Sequence, residues 1–504
     1  MTTAAPAPTS ASSSYRQIFK VTALVGGAQV ATILTGIVRT KVLATLLGPS
    51  GMGLAGLYQS ATGVVTALTS LGMGSAGVRQ IAGAAAADDA ASIARTARAV
   101  RVASLVSGLA GMIIVAACAR PLARLTFGDV RFASGLALVS LTLLFGGVSA
   151  GQMALLQGLR RVRDLASCQV VGALVGTVAS IGLVWWLGER GVAPFLVAIS
   201  GASVLSSWWY VRRLPIPPAD TSFDRLWGEI RGLLAIGAAF LVSGLLAAGV
   251  AYATRVIIGH DLGLSAVGLY AATWTLSSLY VNTVLNAMGT DFFPRLTASA
   301  SDHATLRRLV NEQTEMGVLI ATPGVLFTLC LAPWVLRTFY SEAFVPAAEI
   351  VRWQALGVAL RVISWPMGFI ILAKGLARLY IGTETSAAVT QLVLLVLCLR
   401  GWGLEGAGIA FALLYLAYTG LMLYVSWRTV AFAWSRRATA LIALSVLVTL
   451  ATLALARTAP PAGLAGGLAL SSAASVACVL TMNRLLGLDP LRSLRARWAS
   501  LRSS

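Results

Sequence analysis

Long apolar runs separated by short polar connections cover almost the whole chain. Most of these runs have about 20 to 28 residues, the length a helix needs to cross a hydrocarbon core of about 30 Å. No connection between them exceeds about 25 residues, which leaves no room for a folded domain outside the membrane. The pattern predicts an all-α integral membrane fold with about 14 transmembrane helices. They begin near Ile18, Gly51, Val102, Ala133, Leu165, Val192, Leu233, Ser265, Met316, Glu349, Tyr380, Gly406, Ala440 and Leu464.

The composition agrees with this pattern. Of the 504 residues, 57% are hydrophobic and only 11% are charged, far below the roughly 25% charged residues of soluble domains. The net charge of +20 comes from basic residues scattered between the apolar runs, so we read them as topology signals and expect no nucleic-acid partner. The five cysteines lie inside apolar runs without a CxxC spacing, and we predict neither a metal site nor a disulfide framework.

The distribution of lysine and arginine predicts the orientation. With the N-terminus inside, 26 of the 38 basic residues fall on the cytoplasmic side and 8 on the opposite side. The remaining four, Arg39, Lys41, Arg255 and Arg361, lie at membrane depth. We therefore predict that both termini are cytoplasmic.

An octapeptide of the form LGxSxxGL occurs twice, as LGPSGMGL at residues 47–54 and as LGLSAVGL at residues 262–269. Six predicted spans separate the copies, so both face the same side of the membrane. This arrangement is typical of parallel repeats related by an axis along the membrane normal. A methionine–glycine pair follows each copy at the same offset, which argues against a chance resemblance.

Within each copy, Gly48 or Gly263 permits a turn between two helices, and Ser50 or Ser265 is placed to cap the next helix. The repeat divides the chain into two six-helix bundles around a central cavity. The predicted parts are a disordered cytoplasmic tail (1–16), an N-terminal bundle (17–214), a cytoplasmic linker (215–231), a C-terminal bundle (232–430), and two extra transmembrane helices with a basic cytoplasmic tail (431–504).

Charged side chains at membrane depth cost at least about 2.5 to 3.5 kcal/mol each and need a partner or a wet cavity. Arg39 and Arg255 precede Gly48 and Gly263 by nine and eight residues, which gives them a common depth. Arg361 lies midway along its span. Pairing with a carboxylate, or reaching the outer interface, remains an alternative for Arg39 and Arg255. For Lys41 and Lys374 the alternative is an anchor at the membrane interface. The predicted substrate-binding residues are Arg39, Lys41, Gln59, Arg255, Asn282, Arg361 and Lys374.

Two acidic residues, Asp291 and Glu384, are candidates for coupling to a proton or sodium ion, with simple pairing to a nearby arginine as the alternative. Four polar residues either line the cavity or form hydrogen bonds between helices; they are Gln59, Gln152, Asn282 and Asn286. We predict no other cofactor.

A cavity rich in arginine and poor in carboxylates is suited to an anion, because guanidinium groups match the geometry of phosphate oxygens. With the cytoplasm negative, moving two negative charges outward is favourable by about 4 to 5 kcal/mol at 100 mV. Export of such an anion would need little further driving force.

Three stretches carry a family resemblance: GIVRTKVLATLLGPSGMGLAGLYQ at residues 36–59, GLYAATWTLSSLYVNTVLNAMGTDFFPRL at 268–296, and WQALGVALRVISWPMGFIILAKGLARLYIGTE at 353–384. They resemble the O-antigen and polysaccharide translocases of the MOP flippase superfamily over roughly residues 15–430. The resemblance implies flipping of an undecaprenyl-diphosphate-linked oligosaccharide, such as an O-antigen or exopolysaccharide repeat unit, to the periplasmic leaflet of the bacterial inner membrane by alternating access. Membrane lipids, a polysaccharide polymerase and chain-length proteins are the other partners it suggests.

By position, Arg361, Lys374 and Glu384 match basic, basic and acidic sites of that family. Asp291 departs from the family pattern, in which the position is more often aromatic. The two extra C-terminal spans resemble the lipid II flippase branch, so a lipid II flippase stays open as an alternative.

Three other readings compete. A multidrug or cation exporter of the same superfamily would need buried carboxylates, of which this chain has few. A membrane glycosyltransferase, ligase or polymerase usually has a long outer loop with catalytic residues, and no outer connection here is long enough. A membrane scaffold would not explain Arg361. We therefore predict a transporter and not an enzyme.

Overall fold

The computed structural model of the protein describes residues 11–70, 73–86, 89–215, 223–458 and 462–486, and these are almost entirely helical. The predicted all-α membrane fold is confirmed. The helices are α1 (Ala11–Ser70), α2 (Met73–Ala86), α3 (Ala90–Ala117), α4 (Ala119–Phe127), α5 (Ala133–Val139), α6 (Leu141–Gly158), α7 (Val162–Leu187), α8 (Val192–Val211), α9 (Phe223–Leu262), α10 (Leu264–Ala298), α11 (His303–Phe339), α12 (Ala348–Ala373), α13 (Ala377–Trp402), α14 (Glu405–Val430), α15 (Arg436–Ala456) and α16 (Ala462–Leu485).

Every predicted span begins on one of these helices, and the span predicted from Ala133 covers both α5 and α6. Eleven segments of the described residues are long and apolar enough to cross a membrane. The two longest are Gly26–Ser70, which is kinked at Gly48, and Val162–Val211, which contains α7 and α8. Large apolar side chains are exposed along the helices, as expected where lipid replaces water. Exposed tryptophans cluster near helix ends, where aromatic rings sit at the membrane interface; they are Trp185, Trp186, Trp208, Trp209, Trp227, Trp334, Trp402 and Trp427.

The octapeptides form the predicted turns. Gly48 has φ 63° and Gly263 has φ 84°, a left-handed conformation that glycine adopts without steric cost. The predicted serine caps are wrong, because each helix resumes directly after its glycine and the serine is already the second helical residue. The hydroxyl of Ser50 instead lies 3.4 Å from a carboxylate oxygen of Glu189.

The helices form two compact units, Met1–Gly268 and Leu269–Ser504. In the first, α1 packs against α7 and α9, and α3 packs against α6; in the second, α12 packs against α11 and α14. The division falls inside α10 because α9 packs against helices of the first unit. The predicted domain boundaries, which follow the sequence repeat, stay predictions.

The predicted tail and linker lie partly outside the described residues. Residues 1–10, 216–222 and 487–504 belong to that undescribed part. The described part of the N-terminal tail, residues 11–16, belongs to α1, and the second half of the predicted linker belongs to α9.

The two extra C-terminal helices dock onto α11 through buried polar contacts. Thr322 and Ser445 share a hydrogen bond of 2.7 Å, and Cys330 lies 3.5 Å from the hydroxyl of Ser471. At the N-terminal end of α15, the buried Glu315 accepts a hydrogen bond from Ser435 at 3.1 Å. Polar pairs of this kind hold helices together in lipid, so α15 and α16 form an integral part of the second unit.

A charged network fixes the C-terminal end of α15. The guanidinium group of Arg457 lies 2.9 Å from Glu349 and 3.3 Å from Glu405, and 5.1 Å above the ring of Trp353. Trp353 in turn donates to Glu405 at 2.7 Å. These contacts join α15 to both α12 and α14.

We expect replacement of Arg457 by glutamine to lower the free energy of unfolding by about 1 to 2 kcal/mol, the sum of a partly exposed ion-pair network and a cation–π contact. Thermal denaturation in detergent measures this. Among the described residues Arg131 pairs with Asp129, two positions away on the surface, so Arg131→Gln is a matched control that should change stability by less than about 0.5 kcal/mol. Equal effects of both variants would contradict the role of the network.

Candidate functional site

The two octapeptides pack directly against each other within the first unit. A Cβ atom on Gly53 would lie 1.9 Å from the carbonyl oxygen of Leu264, and one on Gly268 would lie 1.9 Å from the carbonyl oxygen of Pro49. Gly53 and Gly268 are equivalent positions of the repeat, as are Pro49 and Leu264. The crossing is therefore reciprocal, and only glycine permits so close an approach of the two backbones.

Polar contacts flank this glycine crossing. The hydroxyls of Tyr252 and Thr126 are 2.7 Å apart, and the imidazole Nε2 of His260 lies 3.1 Å from the carbonyl oxygen of Leu125. They connect α9 to α4 on the side of the membrane that we predict to be periplasmic.

Four predicted site residues lie in this first unit. Arg39 and Lys41 are half-buried on α1, while Gln59, further along the same helix, is exposed. Arg255 is half-buried on α9 and donates to the carbonyl oxygen of Ala251, one turn earlier, at 3.0 Å. Because α1 packs against α9, Arg39 and Arg255 belong to two neighbouring helices. Their role in substrate binding stays a prediction.

The second unit brings together three of the other predicted residues. The guanidinium group of Arg361 on α12 donates to the side-chain oxygen of Asn282 on α10 at 3.1 Å. Its Cζ atom lies 6.0 Å from the centre of the Tyr415 ring on α14, and that ring is 6.1 Å from the ring of Tyr418. Tyr418 donates to the carboxylate of Glu384 on α13 at 3.0 Å. We call these five residues the Arg361 cluster.

The Arg361 cluster contains one basic side chain, Arg361, and one acidic side chain, Glu384, which do not form a direct ion pair. Within the described ranges, no carboxylate lies within ion-pair distance of Arg361 or receives its hydrogen bonds. By contrast, the buried Arg352 on the same helix pairs with Glu349 and donates to the carbonyl oxygen of Leu329. Arg361 therefore presents a guanidinium charge that the surrounding side chains do not neutralise directly.

Other candidates have local partners. Asp291 forms an ion pair of 3.1 Å with Arg295 one turn along α10, and the Asp291 side chain is exposed. Gln152 accepts a hydrogen bond from Ser207 at 2.5 Å, which joins α6 to α8. Asn286 is exposed. For Asp291 and Gln152 the structure thus provides the simpler alternatives, an arginine pair and an interhelical hydrogen bond.

Lys374 has a partner that sequence reasoning missed. Its ammonium nitrogen lies 2.7 Å from Nε2 of His303, a residue at the start of α11 to which we assigned no role. Lys374 directly follows the last residue of α12. No motif links these residues, which are 71 positions apart, so only the packing of α11 against α12 reveals the pair.

The fold has known counterparts. A multidrug resistance MATE family transporter of the MOP superfamily, in an inward-facing conformation, superposes with a TM-score of 0.68 over 81% of this chain and 95% of that chain, at 16% identity. The lipid II flippase MurJ, in an inward closed conformation, does so with a TM-score of 0.67 over 92% of this chain and 99% of that chain, at 12% identity. These likenesses establish the fold.

The sequence relationships define the family. Residues 42–349 match the family described as polysaccharide biosynthesis protein, and they cover more than half of the chain. The chain belongs to this family, and the resemblance inferred from its motifs is confirmed. It is also 25% identical to the lipid III flippase of Escherichia coli (strain K12) over 413 residues, which are 78% of this chain and 94% of that relative. The protein is thus a transporter of the MOP superfamily and not an enzyme, with many spans in a bacterial membrane.

Proposed function

We propose that the protein is a flippase for a lipid-linked saccharide, moving it from the cytoplasmic to the periplasmic leaflet of the bacterial inner membrane. The family and the lipid III flippase relative support the class of substrate. The observation that carries the proposal is Arg361, a guanidinium group within a membrane-spanning helix with an amide partner, Asn282, and no direct carboxylate partner among the described residues. A charge in that position is stabilised when an anionic substrate group binds it.

The anionic group of the substrate is a diphosphate that links the saccharide to an undecaprenyl chain. Guanidinium groups form two parallel hydrogen bonds with phosphate oxygens, which gives both strength and orientation. Arg361 binds the diphosphate, and Arg39, Lys41, Arg255 and Gln59 stay predicted substrate-binding residues of the first unit. The saccharide is an O-antigen or exopolysaccharide repeat unit, and a polymerase and chain-length proteins act on it after transfer.

Transport proceeds by alternating access, with the cavity opening to one leaflet at a time. Moving isolated charge through hydrocarbon costs tens of kcal/mol by Born estimates, and a cationic, hydrated cavity removes most of that barrier. The membrane potential then favours outward movement of two negative charges by about 4 to 5 kcal/mol at 100 mV. The glycine crossing closes the periplasmic side and separates when the cavity opens there.

Glu384 is our candidate for proton coupling, since it lies half-buried in the Arg361 cluster and has a hydrogen bond from Tyr418. We expect Glu384→Gln to make the rate of lipid transfer independent of a pH gradient across proteoliposomes, because the amide cannot take up the proton. Asp291→Asn is the matched control: its carboxylate is exposed and paired with Arg295, and the response to the gradient should persist. An unchanged response in Glu384→Gln would remove Glu384 from the mechanism.

A second candidate function, export of organic cations, is favoured by the likeness to a multidrug transporter. A cation needs a carboxylate that is free of competing positive charge. Glu384 belongs to a cluster that also contains Arg361, which repels cations. The charges of the site therefore favour an anionic substrate.

Genetic complementation tests the proposed function. A bacterial strain that lacks its own polysaccharide translocase should regain surface polysaccharide when it produces this protein. Production of Arg361→Ala at the same level should not restore it. If the wild-type protein reaches the membrane and restores no polysaccharide in strains that lack the O-antigen, exopolysaccharide or lipid III translocase, the proposed class of substrate is wrong.

A further inference from the structure

Lys374 and His303 form a hydrogen-bonded pair on the side of the second unit that we predict to be cytoplasmic. Their side-chain nitrogens are 2.7 Å apart. An ammonium group has no lone pair, so Lys374 donates and the imidazole Nε2 accepts. In this tautomer Nδ1 of His303 carries a proton, and Lys374 keeps two further N–H donors. The pair presents one positive charge and several unused donors.

The backbone around this pair is firmly held. Leu306 and Val310 on the first turns of α11 pack with Ile370 and Ile371 on the last turns of α12 in one buried core. Gly375, with φ 69°, ends α12 and lets the backbone N–H of residue 376 reach the carbonyl oxygen of Ile371 at 3.1 Å. Both side chains therefore project from packed helix ends and not from a surface loop.

The charges around the pair are unbalanced. Arg307, one turn after His303, donates to the carbonyl oxygens of His303 and Ala431. Among the described residues, neither Arg307 nor Lys374 forms an ion pair with a carboxylate. The adjacent Asp302 caps α11, and hydrogen bonds from the Thr305 side chain and backbone hold the pKa of this carboxyl below its usual range. Asp302 is therefore committed to the helix end, and positive charge remains for another ligand.

We propose that Lys374 and His303 together bind a phosphate group, namely that of the diphosphate in the lipid-linked substrate as it enters from the cytoplasmic leaflet. When a phosphate group separates the two neighbouring nitrogens, the tautomer of His303 that carries its proton on Nε2 donates beside Lys374. Both side chains then donate to one phosphate group, and the charge-assisted hydrogen bond from Lys374 is strong. His303 adds a hydrogen-bond donor beside Lys374, so the pair favours a ligand with several acceptor oxygens. This inference rests on the proposed function.

Chemical modification of histidine tests the pair directly. The chain contains two histidines, so His260→Gln leaves His303 as the one histidine for diethyl pyrocarbonate. Mass spectrometry of the His303 peptide follows its modification in phosphatidylcholine nanodiscs. We expect a polyprenyl diphosphate to slow the modification of His303 about tenfold, and Lys374→Gln to abolish this protection. Arg400→Gln, a charge change at the far end of α13, should leave it intact.

Two outcomes would overturn the inference. One is that polyprenyl diphosphate gives no protection. The other is that phosphatidylglycerol, an anionic lipid with one phosphate, protects at the same concentration, which would assign the pair to bulk lipid headgroups. Protection by inorganic diphosphate as well would support recognition of the phosphate group itself.

Transfer measurements separate this inference from the proposed function. In reconstituted vesicles, His303→Gln and Lys374→Gln should raise the half-saturating concentration of the lipid about tenfold, with the maximal rate changed little, because the pair acts on entry. If the wild-type protein transfers the lipid and His303→Gln saturates at the wild-type concentration, the inference fails and the function stands. If His303 is protected but no lipid is transferred, the flippase function fails and the binding pair stands.

Discussion

Replacement of Arg361 by alanine is expected to lower the rate of lipid transfer at least about 100-fold. Two hydrogen bonds from a guanidinium group to phosphate oxygens contribute about 1.5 to 3 kcal/mol each, and each 1.4 kcal/mol corresponds to a factor of ten. Arg361→Lys keeps the charge but loses the planar pair of donors, so its rate should be intermediate. Initial rates in reconstituted vesicles measure both effects.

Two controls accompany this prediction. Asn282→Ala removes the amide that receives a hydrogen bond from Arg361 and should reduce the rate by a smaller factor, about tenfold, because the charge remains. Arg400→Gln removes an exposed arginine near the end of α13 and should transfer lipid at the wild-type rate. If Arg361→Ala folds with wild-type stability and also transfers at that rate, Arg361 does not bind the substrate.

Alanine at Gly53 or Gly268 is expected to disrupt the glycine crossing. In either case the new Cβ atom would lie 1.9 Å from a backbone carbonyl oxygen, so the two octapeptides must move apart. Overpacking of this kind typically costs about 1 to 3 kcal/mol. In the proposed alternating access this crossing closes the periplasmic side, so we also expect lipid transfer to fall strongly. Thermal denaturation and transfer rates measure the two effects.

Helix α1, which carries Gly53, also contains the control positions. A double variant at the reciprocal contact is a sharper test. Gly36 and Gly63 on α1 have nothing within 4 Å of an added Cβ, so their alanine variants should remain active. Once one octapeptide has moved, the second substitution meets little resistance, and the double variant Gly53→Ala/Gly268→Ala should be destabilised by less than the sum of the single variants. Additive losses would contradict a shared crossing.

The sequence predicts the helices and the turns because these depend on local properties. Apolar runs long enough to span lipid mark the helices, and Gly48 and Gly263 mark the breaks, since each must adopt a positive φ. The sequence also identifies Arg361 as a candidate, because an arginine in the middle of an apolar run is costly wherever the helix packs. The prediction of serine caps was wrong because the sequence does not show at which residue a helix resumes.

The contacts between distant segments were beyond sequence reasoning. His303 looks like a lone residue at the edge of a loop until α11 packs beside the end of α12 and brings it to Lys374. The octapeptides suggested a repeat, but not that Gly53 and Gly268 touch each other's backbones. Arg457 became informative only when Glu349 and Glu405 were found beside it. Such contacts depend on helix rotation and register, which hydrophobicity constrains weakly.

Transfer of a fluorescent polyprenyl-diphosphate saccharide between the leaflets of reconstituted vesicles separates a flippase from a cation exporter. We expect the wild-type protein to transfer this lipid, Arg361→Ala to transfer it at least about 100-fold more slowly, and neither protein to accumulate cationic dyes. Transport of cationic dyes by the wild-type protein, with no transfer of the lipid, would show that the protein is not a flippase for this class of substrate.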